Sequence, residues 1–172
     1  NIEYDKCLLD YTGWYALSKN DLIKSDHLII VQYDCFLFKN FECEIRRTLQ
    51  QYSDCFINFL PISLTAECFL PDVYARTLKI CCEKIYGINI VELARTSIAA
   101  GDKFWPSGGC FVCTKKWLDD YINWTDKMRP FLVKDKMAAH NVERSIKFFN
   151  IINNIQEVYI TDVMEHIYNS DH

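Results

Sequence analysis

The chain has 172 residues, which is enough for one domain with a sizeable core. Half of the residues are hydrophobic, 15% are aromatic and 24% are charged, a balance that excludes a disordered tail or a low-complexity linker. The net charge of −4 lacks the basic excess of a nucleic-acid binder, so we expect no nucleic-acid partner. Every apolar run is shorter than the roughly 20 residues of a membrane-spanning helix, so we expect no transmembrane segment.

Nine cysteines are many for this length, and an odd number does not fit a fully paired disulfide framework. Most of them stand in apolar runs, where a free cysteine behaves as a small core hydrophobe. We interpret them as reduced, buried thiols of a cytoplasmic protein. A zinc site at Cys110 and Cys113 is disfavoured, because residues three apart in a strand point to opposite faces of the sheet.

Short apolar runs predict buried strands, and amphipathic segments between them predict helices. In chain order these are helix 11–20, strand 27–31, helix 42–52, strand 55–60, helix 71–86, helix 90–100, loop 101–109, strand 110–113, helix 115–128, helix 141–153, strand 158–160 and a final helix from 162. Buried strands that alternate with helices predict a layered α/β/α fold with a mainly parallel sheet. The absence of a repeat or a linker-like segment predicts a single domain over residues 1–172.

The first segment with chemical content follows the strand at 27–31. An acidic residue at this point, Asp34, is expected at the edge of the sheet, where a carboxylate can meet a divalent cation and a diphosphate. Gln32-Tyr33-Asp34, the apolar run that follows and Lys39-Asn40 resemble nucleotide-sugar glycosyltransferases of the GT-A type, which have Asp-x-Asp after such a strand. Asp34 matches the second acidic position, whereas Gln32 replaces the first. The resemblance implies a manganese or magnesium ion held by Asp34 and Gln32.

A second segment, Lys103 to Trp117, places two glycines before a buried strand, where a backbone without side chains lets a ligand approach. The sequence FWPSGGCFV within it resembles bacterial capsule and exopolysaccharide glycosyltransferase-like families. The resemblance implies that a sugar donor or acceptor packs against this segment, through Trp105, Ser107, Gly108 and Gly109. The alternative is a tight turn into a core strand, with the tryptophan simply buried.

A third segment, DYTGWYALSKN at residues 10–20, is similar to an element of the same families. Tyr11 and Trp14 are predicted to pack on the substrate, and Lys19 to approach a phosphate. The alternative is a helix packed by its aromatic residues, with the lysine in solvent.

The predicted helix at 141–153 contains Glu143-Arg144, a pair that the resembling families also have. Adjacent residues of a helix point in different directions, so we expect the two to pair with other elements. Glu143 is either a buried acceptor that locks packing or the catalytic carboxylate. Asp119 and Asp120 are the other candidates for the base, and His166 or His172 could complete a metal site.

The resemblance extends over roughly residues 8 to 150 and implies a GT-A glycosyltransferase of polysaccharide biosynthesis. It would transfer a sugar from a nucleotide-sugar donor to a saccharide, lipid-linked or protein acceptor. Asp34 (through the cation), Asp120 and Glu143 are its predicted catalytic residues. No counterpart of the nucleotide-binding section of a full GT-A enzyme precedes Tyr11, so we expect a compact variant of the fold, a fragment truncated at the N-terminus, or a domain that has lost the activity. The alternative function is a non-catalytic α/β module that binds carbohydrate or protein.

Overall fold

The structure is a computed structural model, and it describes Leu8 and residues 10–63, 72–106 and 109–167. The described helices are α1 (Asp10–Lys19), α2 (Phe41–Gln51), α3 (Asp72–Tyr86), α4 (Ile90–Ala99), α5 (Lys115–Asp126), α6 (Arg129–Leu132) and α7 (Ala138–Ile152). The described strands are β1 (His27–Ile30), β2 (Cys35–Leu37), β3 (Phe56–Asn58), β4 (Pro61–Ser63), β5 (Phe104–Pro106), β6 (Phe111–Thr114), β7 (Glu157–Tyr159) and β8 (Met164–His166). No helix in these ranges is long and apolar enough to cross a membrane.

The central sheet has four strands in the order β1-β6-β3-β7. Strand β6 is antiparallel to both of its neighbours, and only β3 and β7 are parallel. The prediction of a mainly parallel sheet is therefore wrong. It rested on buried strands that alternate with helices, and the continuous apolar character of a strand reports that both of its faces are covered rather than its direction.

The sheet is covered on both faces, as the layered α/β/α prediction requires. The larger apolar cluster joins one face to α1, α3, α4, α5 and α7, whereas the smaller cluster joins the other face to α2 and the β2–β8 ribbon. Strand β6 and Cys110, which directly precedes it, contribute to both clusters, because successive residues alternate between faces. Phe111 and Cys113 belong to the larger cluster, and Cys110 and Val112 to the smaller. Cys110 and Cys113 thus lie on opposite faces, as predicted.

Two helices on the larger cluster begin at capping side chains that the sequence supplies. The side chain of Asn89 accepts hydrogen bonds from the backbone N–H groups of Val91 and Glu92, and Thr114 accepts one from Trp117. Helix α3 ends before Gly87, which has a φ of +67°, a left-handed conformation that glycine adopts without steric cost. The predicted stop at Gly87 is confirmed, whereas the predicted helix start at Pro71 lies outside the described residues.

Three predicted elements are wrong in detail. The strand at 27–31 is not buried on both faces: β1 is an edge strand of the sheet, and Ile29 is 51% exposed. The predicted loop 101–109 contains β5, which pairs with β4. The predicted helix from 162 is β8, because a partner strand, β2, is available to bond its backbone groups and Asp162 has a left-handed φ of +60° that no helix contains.

Seven cysteines lie in the described residues and all are free thiols. Burial raises the pKa of Cys82 to about 12, which disfavours the reactive thiolate. We expect a thiol reagent to label the exposed Cys43 first in the native protein, and most of the nine thiols after denaturation without a reductant. Mass spectrometry of the labelled chain measures this, and two or more intact intramolecular bridges would contradict the assignment of reduced thiols.

Candidate functional site

A cleft of about 170 Å³ opens where the carboxyl end of β1 meets the amino end of β6. The antiparallel register places Ile30 opposite Phe111, so the residues after β1 adjoin those before β6. Helices α1 and α7 form the other walls. The described residues that line the cleft are Leu8, Asp10, Tyr11, Trp14, Gln32, Gly109, Ala139, His140, Val142 and Glu143.

Helix α1 is held in place by its aromatic residues. The hydroxyls of Tyr11 and Thr125 lie 2.7 Å apart, and burial raises the pKa of the tyrosine above its usual value. The rings of Trp14 and Phe111 meet edge to face with centroids 5.3 Å apart. Because these contacts fix the helix against α5 and β6, the position of Asp10 at its first turn is fixed as well.

Gly109 is the point at which three walls of the cleft approach one another. Its φ of +59° is left-handed, and a Cβ atom there would lie 3.3 Å from Cζ2 of Trp14. The same atom would lie 3.6 Å from Oδ2 of Asp10 and 3.8 Å from Nε2 of Gln32. Glycine therefore satisfies both the backbone conformation and the close approach of these side chains.

The polar groups of the cleft are carboxylates, an amide and an imidazole. Gln32 donates a hydrogen bond from Nε2 to Oδ2 of Asp10 over 3.2 Å. Nδ1 of His140 lies 3.8 Å from Oε2 of Glu143, one turn further along α7. No lysine or arginine is among the described residues that line the cleft. This set of acceptors suits a ligand that donates several hydrogen bonds, as a sugar with free hydroxyls does.

An open groove of about 500 Å³ continues from the cleft along β1. It shares Asp10, Trp14 and Gly109 with the cleft, and its floor includes Ile29 and Val31. Sites for drug-sized ligands measure about 300–1,000 Å³, so the cleft alone holds a small unit such as one sugar ring. Cleft and groove together offer room for a longer ligand.

Five residues that the sequence predicts for the site line this cleft: Tyr11, Trp14, Gln32, Gly109 and Glu143. They come from α1, the turn after β1, the segment before β6, and α7. These elements are distant in the sequence, so their meeting is a property of the fold.

Other predicted residues lie elsewhere. Nζ of Lys19 donates to Oδ1 of Asn123 over 2.7 Å at an exposed position. Trp105 is 3% exposed and is covered by the guanidinium of Arg144, 4.9 Å from the ring centroid. Asp120 is an ion-pair partner of Lys116 and lies near the carboxyl end of β6, at the end of the strands opposite to the cleft.

The remaining predicted ligands and bases fall into two groups. Asp34 lies half-buried on the turn between β1 and β2 and is not among the described residues that line the cleft, while Asp119 binds Lys115 and Ser18. Ser107, Gly108 and His172 lie outside the described residues, as does the side chain of His166. In the described part of the chain, no group of three or more His, Cys, Asp or Glu side chains is arranged to hold a metal ion.

Two further residues of the cleft, Asp10 and His140, were not predicted as site residues. The spacing of residues along a helix could have identified both as site residues. Asp10 precedes Trp14 by four residues, and His140 precedes Glu143 by three, so each lies on the same helix face as a predicted residue.

No family model matches the chain, and no curated protein matches it. The fold of the described residues resembles part of a solved glycosyltransferase structure. That structure is the apo form of WbbM, a bifunctional glycosyltransferase, which superposes with a TM-score of 0.64 at 14% sequence identity. The match covers 98% of this chain and 38% of WbbM, so the chain spans well under half the length of the protein that it resembles.

Proposed function

We propose that this chain forms one domain that binds a nucleotide sugar in the cleft and its groove and transfers the sugar to a saccharide, lipid-linked or protein acceptor in polysaccharide assembly. One observation carries the proposal: a single cleft is lined by residues that the sequence predicts from four separate segments. These residues are Tyr11, Trp14, Gln32, Gly109 and Glu143. The resemblance of the fold to part of a glycosyltransferase supports a sugar as the ligand.

The lining of the cleft supports the binding of a sugar ring. Trp14 supplies an apolar edge, and the carboxylates of Asp10 and Glu143 accept hydrogen bonds from hydroxyls. The nucleoside would lie in the open groove, where Ile29 and Val31 provide apolar surface. A saccharide acceptor would approach the cleft from the side of α7.

Glu143 is our proposed catalytic base. Of the three candidate bases, it alone lines the cleft. Asp119 and Asp120 instead belong to ion pairs of α5. Its carboxylate would take the proton of the acceptor hydroxyl while that oxygen bonds to the anomeric carbon of the sugar. The bond from this carbon to the diphosphate oxygen breaks with its electron pair, and the nucleoside diphosphate leaves.

A manganese or magnesium ion held by Asp34 and Gln32 stays a proposal, and a bound cation would neutralise the leaving diphosphate. The donor set fits a cation poorly, since the Gln32 amide is engaged with Asp10 and Asp34 does not line the cleft. We therefore derive no step of the transfer through a metal.

Replacing Asp34 with asparagine tests the cation directly. We expect the fold to be retained, because the two side chains are nearly equal in size. If Asp34 holds the proposed cation, manganese-dependent binding of uridine or guanosine diphosphate weakens. An amide is a poorer ligand for a hard cation, and the loss should be on the order of 2–3 kcal/mol, or about a hundredfold. Calorimetric titration measures this, with Asp54→Asn, at the end of the strands opposite to the cleft, as the control. Equal affinity of the Asp34 variant and the parent would show that Asp34 is no ligand.

The alternative function is a non-catalytic module that binds carbohydrate or protein on the same scaffold. The observation that favours it is Gln32, an amide at the position where the resembling enzymes have a carboxylate. The two functions differ in turnover, because a binding module holds a sugar and releases no nucleoside diphosphate.

Release of nucleoside diphosphate from a panel of uridine and guanosine diphosphate sugars, with oligosaccharide acceptors, tests the proposed transfer. We expect turnover by the parent and a loss of at least about a hundredfold in Glu143→Gln, since an amide takes no proton. Asp120→Asn is the matched control and should retain activity. Binding without turnover in the parent supports the alternative function, and an equal loss in both variants would contradict the role of Glu143.

A further inference from the structure

Two cysteine thiols lie next to each other beside the cleft. The Sγ atoms of Cys35 and Cys110 lie 3.7 Å apart, although the residues are 75 positions apart in the sequence. Cys35 begins β2 and is half-buried, whereas Cys110 directly precedes β6 and is buried. Both are free thiols. No cleft residue that we assign to sugar transfer is one of the pair.

Both cysteines are tied to the backbone of one cleft residue, Gln32, Cys110 through its thiol and Cys35 through its own backbone N–H. Its N–H donates to Sγ of Cys110 over 3.4 Å, and its carbonyl accepts a hydrogen bond from the N–H of Cys35 over 3.3 Å. The amide side chain of the same residue lines the cleft, and Gly109 is the neighbour of Cys110. A change in the distance between the two sulfur atoms is therefore transmitted to the wall of the cleft.

We propose that Cys35 and Cys110 are a dithiol oxidation site, which a small organic disulfide such as oxidised glutathione converts to an intramolecular disulfide. The two sulfur atoms must approach from 3.7 Å to a bond length of about 2.05 Å, which requires a small movement of β2 towards β6. This movement shifts Gln32. The effect on ligand affinity rests on the proposed function, whereas the oxidation itself does not.

The reaction proceeds in two exchanges. The thiolate of Cys35 attacks one sulfur of glutathione disulfide, the S–S bond breaks, and one glutathione leaves with a proton. The thiol of Cys110 then loses its proton and attacks the Cys35 sulfur of the mixed disulfide, which releases the second glutathione. The two protein thiols lose two electrons in total, and the disulfide reagent gains them.

The order of the exchanges follows from burial. Cys110 is fully buried, with 0% of its surface exposed. A bulky reagent in solution therefore does not reach it directly. Cys35 is half-buried and is the sulfur that a reagent in solution reaches first.

Intact mass and peptide mapping of the full chain after treatment with oxidised glutathione test the site. We expect the parent and Cys43→Ser, which lacks the exposed thiol, both to yield a linked Cys35–Cys110 peptide. Cys43→Ser should lose two hydrogen atoms in intact mass, and the parent should show the same loss together with a glutathione adduct on Cys43. We expect Cys110→Ser to stop at a glutathione adduct on Cys35, and Cys35→Ser to form no linked peptide with Cys110. The absence of the linked peptide in the parent, or the same oxidation in Cys35→Ser, would overturn the proposal.

The oxidised parent should also have a higher Tm than the reduced protein, because the disulfide closes a long loop in the unfolded chain. Its affinity for uridine or guanosine diphosphate sugars should fall by at least about tenfold and recover on reduction. If no nucleotide sugar binds either form while the linked peptide is present, the proposed function fails and the oxidation site stands. If the linked peptide forms and leaves affinity unchanged, the coupling to the cleft is wrong.

Discussion

Replacement of Lys147 by methionine is expected to lower the free energy of unfolding by about 3–5 kcal/mol, the usual cost of breaking a buried ion pair from one side. The lysine is 2% exposed, and its Nζ lies 2.5 Å from Oε2 of Glu157 and 3.4 Å from Oδ2 of Asp102. The Glu157 carboxylate also accepts hydrogen bonds from Asn150 and Tyr159. Methionine retains the apolar stem but leaves this buried carboxylate without its cation.

The same network also helps to position the site, because it ties α7 to β7 and α7 brings His140 and Glu143 to the cleft. Chemical denaturation of Lys147→Met measures the loss. Adding Glu157→Gln should recover part of it, since the amide is neutral and still accepts hydrogen bonds. The control is Lys116→Ala, whose ion pair on α5 is exposed and should contribute about 0–1 kcal/mol. Equal losses in Lys147→Met and Lys116→Ala would refute the assigned role of the network.

Replacement of Gly109 by valine is expected to weaken the binding of uridine and guanosine diphosphate sugars by at least about tenfold, or about 1.4 kcal/mol. A Cβ at this position lies 3.3 Å from the ring of Trp14 and within 4 Å of Asp10 and Gln32, and valine adds two methyl groups at the meeting point of these walls. The left-handed φ also strains a β-branched residue, at a cost of about 1–3 kcal/mol in stability.

Gly87→Val separates the two effects. Gly87 has a similar φ of +67°, and nothing lies within 4 Å of a Cβ placed there. Both variants should therefore lose comparable stability in thermal melts, while calorimetric titration should find the ligand affinity reduced in Gly109→Val alone. Unchanged affinity in folded Gly109→Val would remove Gly109 from the binding site.

The local pattern of the chain predicts most of the helices and the positions of the central strands. Burial of β3 and β6 follows from uninterrupted apolar runs, and caps such as Asn89 and stops such as Gly87 set helix ends. The local pattern does not predict the direction of the strands, since β6 lies between β1 and β3 through contacts between distant parts of the chain. The prediction of a final helix from residue 162 was wrong for the same reason, because β8 is stabilised by β2, more than a hundred residues earlier.

The residues of the cleft are likewise only partly predictable from the local sequence. Motif residues such as Trp14, Gln32 and Glu143 could be selected from residue type and order, but their distances depend on the packing of α1 and α7 against the sheet. The predictions of Trp105 and Lys19 as ligands rested on the residue types and on the resemblance of their segments to glycosyltransferase families. In the fold, Trp105 is covered by Arg144, and Lys19 lies at an exposed position beside Asn123.

A crystal structure of the complex with a nucleotide sugar tests the central claim most directly. The ligand would be the uridine or guanosine diphosphate sugar that raises the Tm most in a panel, with manganese present. Our account predicts density for the sugar ring between Trp14, Gly109 and Glu143, with the nucleoside in the groove beside Ile29. Density at the opposite end of the strands, beside Asp54 and Asp120, would contradict it, as would a panel in which no nucleotide sugar raises the Tm.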